Sequence, residues 1–253
     1  MVSNVTARHE QRGHILVVTI DRPDKRNAIN NEITEAIDLA LNELDDNPDL
    51  WAGVITGTPT MFSAGTDMSS RDGRSTERGG EYGLIRRQRV KPLIAAVEGN
   101  ALGGGFEIAL ACDLIVASST ARFALPEVQR GVIATSGALF RAIRALPINV
   151  AREMLIAGAS LDAERGYQLG LVCQVTEPGQ ACEAAVALAE RICAASPHSV
   201  QQTLKAINMQ LADEDAQGWE ATRIAVEAIL QSEDMAEGLA AFFEKRPPQW
   251  KGR

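Results

Sequence analysis

Lys91-Pro-Leu-Ile-Ala-Ala-Val-Glu-Gly-Asn-Ala-Leu-Gly-Gly-Gly-Phe-Glu-Ile-Ala-Leu-Ala-Cys-Asp113 is the stretch around which this chain is organised. Leu93 to Val97 is a short apolar run after Pro92 and reads as a buried strand. Gly99 and Asn100 break it, and Gly103, Gly104 and Gly105 precede an apolar run that reads as the first turns of a buried helix. Backbone N–H groups at a helix start have no intrahelical partner, and the helix dipole favours negative charge in front of them. An anion, or an oxygen that becomes one, fits there. Close packing of the helix start on a neighbouring strand would use the same glycines. No Lys follows them in P-loop spacing, and Gly-x-Gly-x-x-Gly is absent, so nucleotide and dinucleotide motifs are not supported.

Upstream, His14 to Ile20 reads as a strand, and Lys25, Arg26 and Asn27 lie on a loop behind it. Ile33, Ile37, Leu41 and Leu44 mark an amphipathic helix that closes before Pro48. Trp51 to Thr56 is the next strand, followed by the small-residue loop Met61-Phe-Ser-Ala-Gly-Thr-Asp67. Residues 69–90 are polar, Gly- and Arg-rich, and read as a mobile, solvated loop. Downstream come a strand at Leu114 to Ala117, the run Phe123-Ala-Leu-Pro-Glu127, and helices over residues 136–157 broken at Pro147. Ser160 is placed to cap a helix to Leu169, with a strand from Leu171 to Val175. From Ala181 onward the pattern is all helix, with Ser196-Pro197 and Ser232 at helix starts. The expectation is a mixed α/β core over residues 1–195 and a helical region over 196–253.

A chain of 253 residues, 45% hydrophobic, can bury a full core. It holds no 18-residue uncharged apolar run, so no membrane span is expected. The formal charge of −8 argues against broad nucleic-acid binding. Cys112, Cys173, Cys182 and Cys193 form no Cys-x-x-Cys pair and read as reduced packing residues. With an N-terminus that lacks an apolar signal core, they suggest a cytoplasmic protein. His9, His14 and His198 are scattered, which gives no support to a metal cluster or a His-based triad.

Four motifs, taken together and in order, resemble the crotonase superfamily. They are Phe62-Ser-Ala-Gly-Thr-Asp67, the Gly-Gly-Gly-Phe-Glu107 helix start, Phe123-Ala-Leu-Pro-Glu127 and Phe242-Phe-Glu-Lys-Arg246. Within that superfamily the chain is most similar to the enoyl-CoA hydratases, over nearly its whole length. The resemblance implies an α/β spiral of β-β-α turns, a helical trimerisation region, and a homo-trimer or a dimer of trimers. It implies an acyl-CoA thioester as substrate, with coenzyme A part of that substrate and no separate cofactor. The N–H groups of Ala64 and Gly104 would form an oxyanion hole, and Glu107 and Glu127 would be the two catalytic glutamates. Lys25, Arg26, Ala28, Asp67 and Met68 match positions near CoA. Phe242 and Lys245 match residues that reach CoA from a neighbouring subunit.

Hydrating a 2-enoyl thioester needs a stabilised enolate oxygen, a base for water and an acid for the α-carbon, so two carboxyl groups suit it. Each glutamate also has a plainer reading: Glu107 complements the helix dipole, and Glu127 pairs with Arg130. Arg86, Arg87, Arg89 and Lys91 form a second basic cluster that fits either CoA phosphates or a solvated face. Thr66 stands where many relatives have Ala, and the segment after Gly131 lacks their Pro-Gly-x-Gly-Gly run, which makes Thr135 and Ser136 bulkier near the expected acyl pocket. That segment and the ending Glu-Lys-Arg-Pro-Pro-Gln-Trp-Lys-Gly-Arg also resemble carnitinyl-CoA dehydratases, which run the same chemistry in reverse. A Δ3,Δ2-enoyl-CoA isomerase would leave Glu107 unexplained, and a non-catalytic acyl-CoA-binding protein would leave both glutamates so.

Overall fold

The computed structural model describes residues 7–69 and 75–253. The chain runs β1 (Ala7–Arg12), β2 (Ile15–Ile20), α1 (Asn31–Asp46), β3 (Ala52–Thr56), β4 (Met61–Ser63), β5 (Leu93–Val97), β6 (Asn100–Leu102) and α2 (Gly104–Ala111). It continues with β7 (Leu114–Ser118), β8 (Arg122–Ala124), α3 (Ala138–Ala145), α4 (Ile148–Ala157), β9 (Ser160–Asp162), α5 (Ala163–Gln168), β10 (Gln174–Thr176), α6 (Ala181–Cys193), α7 (Pro197–Leu230) and α8 (Glu233–Glu244).

The strands form two sheets. The larger has the order β1-β2-β3-β5-β7-β10, and the smaller β4-β6-β8-β9. From β2 to β10 the large sheet is parallel, and only the β1–β2 hairpin is antiparallel. Each of β3, β5 and β7 feeds a short strand of the small sheet, which gives the repeating turn expected of the spiral.

The central strands read as continuous apolar runs because both of their faces are buried. Leu16, Val18, Ile55, Leu93, Ala95 and Val97 point into the main core with Ile33, Ile37 and Leu41 of α1 and Phe106 and Ile108 of α2. Ile15, Val17, Val54, Ile94, Ala96 and Val116 face the opposite side, where α6 covers them with Ala181, Ala185, Val186 and Ala189.

Local chemistry sets the helix boundaries. The Asn30 side chain accepts from the Ile33 N–H and caps α1. Ser196 caps α7 with Pro197 at its first position, and Ser232 caps α8. The Ser160 reading is corrected: Ser160 lies in β9, pairing antiparallel with β8, and Asp162 caps α5 through the Arg165 N–H. The strand read from Leu171 begins only at Gln174, because Leu171 and Val172 are taken into the core as a connection. The β1 strand had no sequence signal, since five of its six residues are exposed.

The helical C-terminal region is present. Along all 34 residues of α7 only Thr222 is buried, while Ile207, Met209, Ile224 and Leu230 are exposed. Helix α8 sits on the turn Glu127–Arg130 so closely that a Cβ at Gly238 would lie 2.2 Å from the Arg130 carbonyl oxygen. The last residues fold back over the start of α8, where the Arg253 carbonyl accepts from the N–H groups of Glu233 and Asp234. The four cysteines are unpaired, and Cys173 is exposed rather than packed. Among the described residues no helix is long and apolar enough to cross a membrane, and no cluster of three or more His, Cys, Asp or Glu could hold a metal.

Candidate active site

The start of α2 is where the two sheets and two loops meet. A side chain at Gly105 would strike the Ser63 carbonyl oxygen, 2.4 Å from an added Cβ. Glycine there lets the end of β4 rest directly on the helix, so both readings of the glycine run hold: close packing and a free helix start. Among the described residues the Gly104 N–H has no partner, whereas the N–H groups of Phe106 and Glu107 both donate to Gly103 O.

The loop after β4 is stitched to residues 22–29. Buried Asn27 donates to the carbonyls of Met61 and Phe62, and Ser63 Oγ donates to Asn27 O at 2.8 Å. This stitching engages the amide that the sequence reading expected as the second oxyanion donor. The Ala64 N–H already donates to Arg26 O at 3.0 Å, and the Gly65 N–H to Ser63 Oγ at 3.1 Å. The Asp67 N–H donates to Ile29 O at 2.9 Å. Thr66, bridged to Ile29 in parallel fashion, is the residue of this loop whose N–H has no partner among the described residues. The loop lies against the helix start, since a Cβ at Gly65 would be 2.9 Å from Gly104 N.

Glu107 and Glu127 reach the same place. Glu107, in the first turn of α2, is 2% exposed. Its Oε1 accepts from the N–H groups of Ser136 at 2.7 Å and Ala138 at 3.1 Å. Burial, reinforced by the nearby Glu127, pushes its carboxyl up to about 8. Glu127 opens the turn before Gly131, and a Cβ at Gly103 would lie 3.0 Å from its Oε1. Burial raises its carboxyl too, and its buried Oε2 has no hydrogen-bond partner among the described residues. The Arg130 pairing is not formed, although Arg130 lowers the Glu127 pKa from a distance while its guanidinium lies over the Phe242 ring at 4.8 Å. Among the described residues no cation is bonded to either carboxyl group, a setting that brings neutral and charged forms close in energy and suits acid–base chemistry.

A family profile described as enoyl-CoA hydratase/isomerase matches residues 10–253. The chain belongs to that family. It is similar to the mevalonyl-coenzyme A hydratase of Aspergillus fumigatus, 39% identical over 94% of this chain and 92% of the relative. It is 34% identical to an enoyl-CoA hydratase of Mycobacterium tuberculosis over 96% of each chain. Among solved structures, a carnitinyl-CoA hydratase from Mycobacterium avium superposes with a TM-score of 0.93 at 40% identity, covering 99% of this chain and 100% of that one. The fold is accordingly the crotonase fold, and the protein is an enzyme of the hydratase type.

Against the pattern of this family, the remaining candidates divide. Lys25 and Arg26 are exposed on the loop that ends beside Ala64, and Ala28 and Met68 are half-buried near them. Asp67, expected near CoA, latches the loop to the strand end behind it. It is 8% exposed and bonded to Arg22 Nη1 at 2.7 Å and to Ser69. Burial acts to raise its carboxyl, but the Ser69 and Arg22 bonds outweigh that and hold it at about 2. Phe242 and Lys245 are exposed at the end of α8, where Lys245 adopts the left-handed conformation that ends the helix.

The second basic cluster is also corrected. Arg87 is buried between Asp38 and Asp45 at 2.6 and 2.8 Å, and Arg89 is bonded to Asp113 at 2.6 Å. Lys91 Nζ donates to the carbonyls of Leu44 and Asn47. Arg86 stacks on Trp219, 3.4 Å from the ring centre. Residues 75–90 are therefore built into the structure rather than solvated, while residues 70–74 of that stretch lie outside the described residues. Sequence reasoning missed what this segment carries to the site. Tyr82 places its hydroxyl 2.8 Å from Thr66 Oγ1. An aromatic residue among glycines, at Gly79-Gly80-Glu81-Tyr82-Gly83, was the available signal.

Proposed function

We propose that the protein catalyses the reversible syn addition of water to a 2-trans-enoyl-CoA, giving a 3-hydroxyacyl-CoA, with no cofactor beyond the CoA of the substrate. The observation that carries this reading is the pair Glu107 and Glu127, both buried, both raised, and one with an unpartnered oxygen, at a glycine-rich helix start. The thioester oxygen would accept from the N–H groups of Thr66 and Gly104, in place of Ala64 and Gly104. As water adds to the β-carbon, negative charge moves onto that oxygen, and one preorganised donor there is commonly worth about 3 kcal/mol of barrier. Glu107, with Oε1 held by two N–H groups, would orient and deprotonate the water through Oε2. Glu127, next to Gly103, would deliver the proton to the α-carbon, so that hydroxyl and proton add from one side. A shared burial cost that favours one proton on the pair supplies one acid and one base at neutral pH.

Lys25 and Arg26, with Ala28 and Met68, would receive the CoA nucleotide. The exposed apolar residues of α7 support assembly into a trimer or hexamer through residues 196–253, with Phe242 and Lys245 completing a neighbour's CoA site. Dehydration of a carnitinyl-type 3-hydroxyacyl-CoA uses the same groups in reverse. The deciding experiment replaces each glutamate with glutamine in folded protein. Glu127→Gln should abolish both hydration of a 2-enoyl-CoA and isomerisation of a 3-enoyl-CoA. Glu107→Gln should reduce hydration by about a hundredfold or more, with any isomerisation reduced much less. If Glu107→Gln hydrates at the parent rate, a one-carboxylate isomerase replaces this reading.

A further inference from the structure

Tyr82 has no part in the two-glutamate scheme, yet it occupies the centre of the site. A Cβ built at Gly104 would lie 2.2 Å from its hydroxyl oxygen, so the phenol rests directly before the helix start. The same oxygen is 2.8 Å from Thr66 Oγ1. Among the described residues the N–H groups of Thr66 and Gly104 have no partner, and the phenol lies against both residues. Burial, with Glu107 and Glu127 nearby, raises the phenol well above its ordinary value, so the hydroxyl keeps its proton and remains a donor.

The backbone shows that this placement is imposed. Tyr82 has φ 54° and ψ 14°, the left-handed region that a bulky residue adopts only when its surroundings require it. Those surroundings are the anchors of the segment on either side. Thr76 Oγ1 donates to Asp38 at 2.7 Å, and Arg87 is fixed between Asp38 and Asp45. The segment is thus held to α1 on both sides of Tyr82.

We propose that Tyr82 is a further catalytic residue, a third hydrogen-bond donor to the thioester oxygen beside the Thr66 and Gly104 N–H groups. Thr66 acts as its positioning residue: its hydroxyl donates to Tyr82 Oη, which leaves the phenolic proton for the substrate. No bond is made or broken at Tyr82; it stabilises the enolate charge as it develops. This inference rests on the hydratase reading.

The test is Tyr82→Phe, which keeps the ring and removes the donor, with Thr66→Ala as a second variant that retains the N–H. Hydration is measured alongside the absorbance of a bound arylacryloyl-CoA, whose conjugated thioester shifts to longer wavelength as its carbonyl accepts stronger hydrogen bonds. Tyr82→Phe should lower kcat about ten- to a hundredfold with little change in KM, and should shrink the red shift. Thr66→Ala should do the same more weakly, and the double variant should be no worse than Tyr82→Phe, because both act through one hydroxyl. A Tyr82→Phe protein with the parent kcat and the parent red shift overturns the proposal while leaving the hydratase reading intact. A parent protein that neither hydrates enoyl-CoA nor shifts the chromophore overturns both.

Discussion

Two regions of this molecule bury polar groups, and they do so in opposite ways. In residues 75–91 the buried cations are all committed: Arg87 to Asp38 and Asp45, Arg89 to Asp113, Lys91 to two carbonyls. At the start of α2 the buried groups are left open. Among the described residues no cation is bonded to Glu107 or Glu127, Glu127 Oε2 has no partner, and the N–H groups of Thr66 and Gly104 are unspent. A buried charge with its partner in place is scaffolding, since the pair's attraction only offsets the cost of desolvation. A buried group without a partner costs stability, and a fold retains it where something else will complete it. The contrast even runs within one loop, where Ala64 has spent its N–H on Arg26 and Thr66 has not.

The largest effect should come from breaking a committed pair. Arg87→Ala removes the cation shared by half-buried Asp38 and Asp45, leaving them Thr76, Asn42 and Arg78, and should cost about 3 kcal/mol in urea unfolding. A loss below about 1 kcal/mol would put this pair in the class of surface ion pairs and erase the contrast.

Next comes the backbone of the small-residue loop. Replacing the Thr66 amide by an ester should lower turnover about a hundredfold, or about 3 kcal/mol of barrier, with the fold retained. The same exchange at Ala64 removes a structural hydrogen bond and should cost about 1 kcal/mol of stability with turnover near the parent value. Reversal of that ranking would restore Ala64 as the oxyanion donor.

The third expected effect is a pH dependence. Glu107 titrates near 4.5 in the unfolded chain and at about 8 when folded. Below the unfolded value both states are protonated and burial adds no penalty. As pH rises from there to about 8, the unfolded chain gives up its proton first, so stability falls, and it levels off above that. Glu107→Gln lacks this term. Its melting temperature relative to the parent should therefore climb between pH 5 and pH 8, and a constant difference would show that burial does not raise this carboxyl.

Much of the site was legible from chemistry-bearing residues close together in sequence. The glycines before Phe106 announce a helix start, and Glu107 follows within its first turn. The family resemblance carried the pairing of Glu107 with Glu127, whose 20-residue separation has no local rule behind it. Misreadings arose where polarity was taken for exposure. Arg87, Arg89 and Lys91 look solvated in a Gly- and Arg-rich run because their carboxylate partners Asp38, Asp45 and Asp113 lie outside it. Asp67 looked available because Arg22 stands far upstream of it.

By itself the sequence determined the elements and the family: apolar strand runs buried on both faces, Ser196 and Ser232 as caps, and four motifs in order. Those features rest on periodicity, on neighbours within a few residues, or on motifs kept in order. Tertiary structure alone decided which polar groups are spent. Arg26 O takes the Ala64 N–H, Asp38 and Asp45 take Arg87, and Tyr82 comes to rest before Gly104. A hydrogen bond depends on separations of a few ångströms between segments distant in the chain, and only the folded backbone fixes those distances.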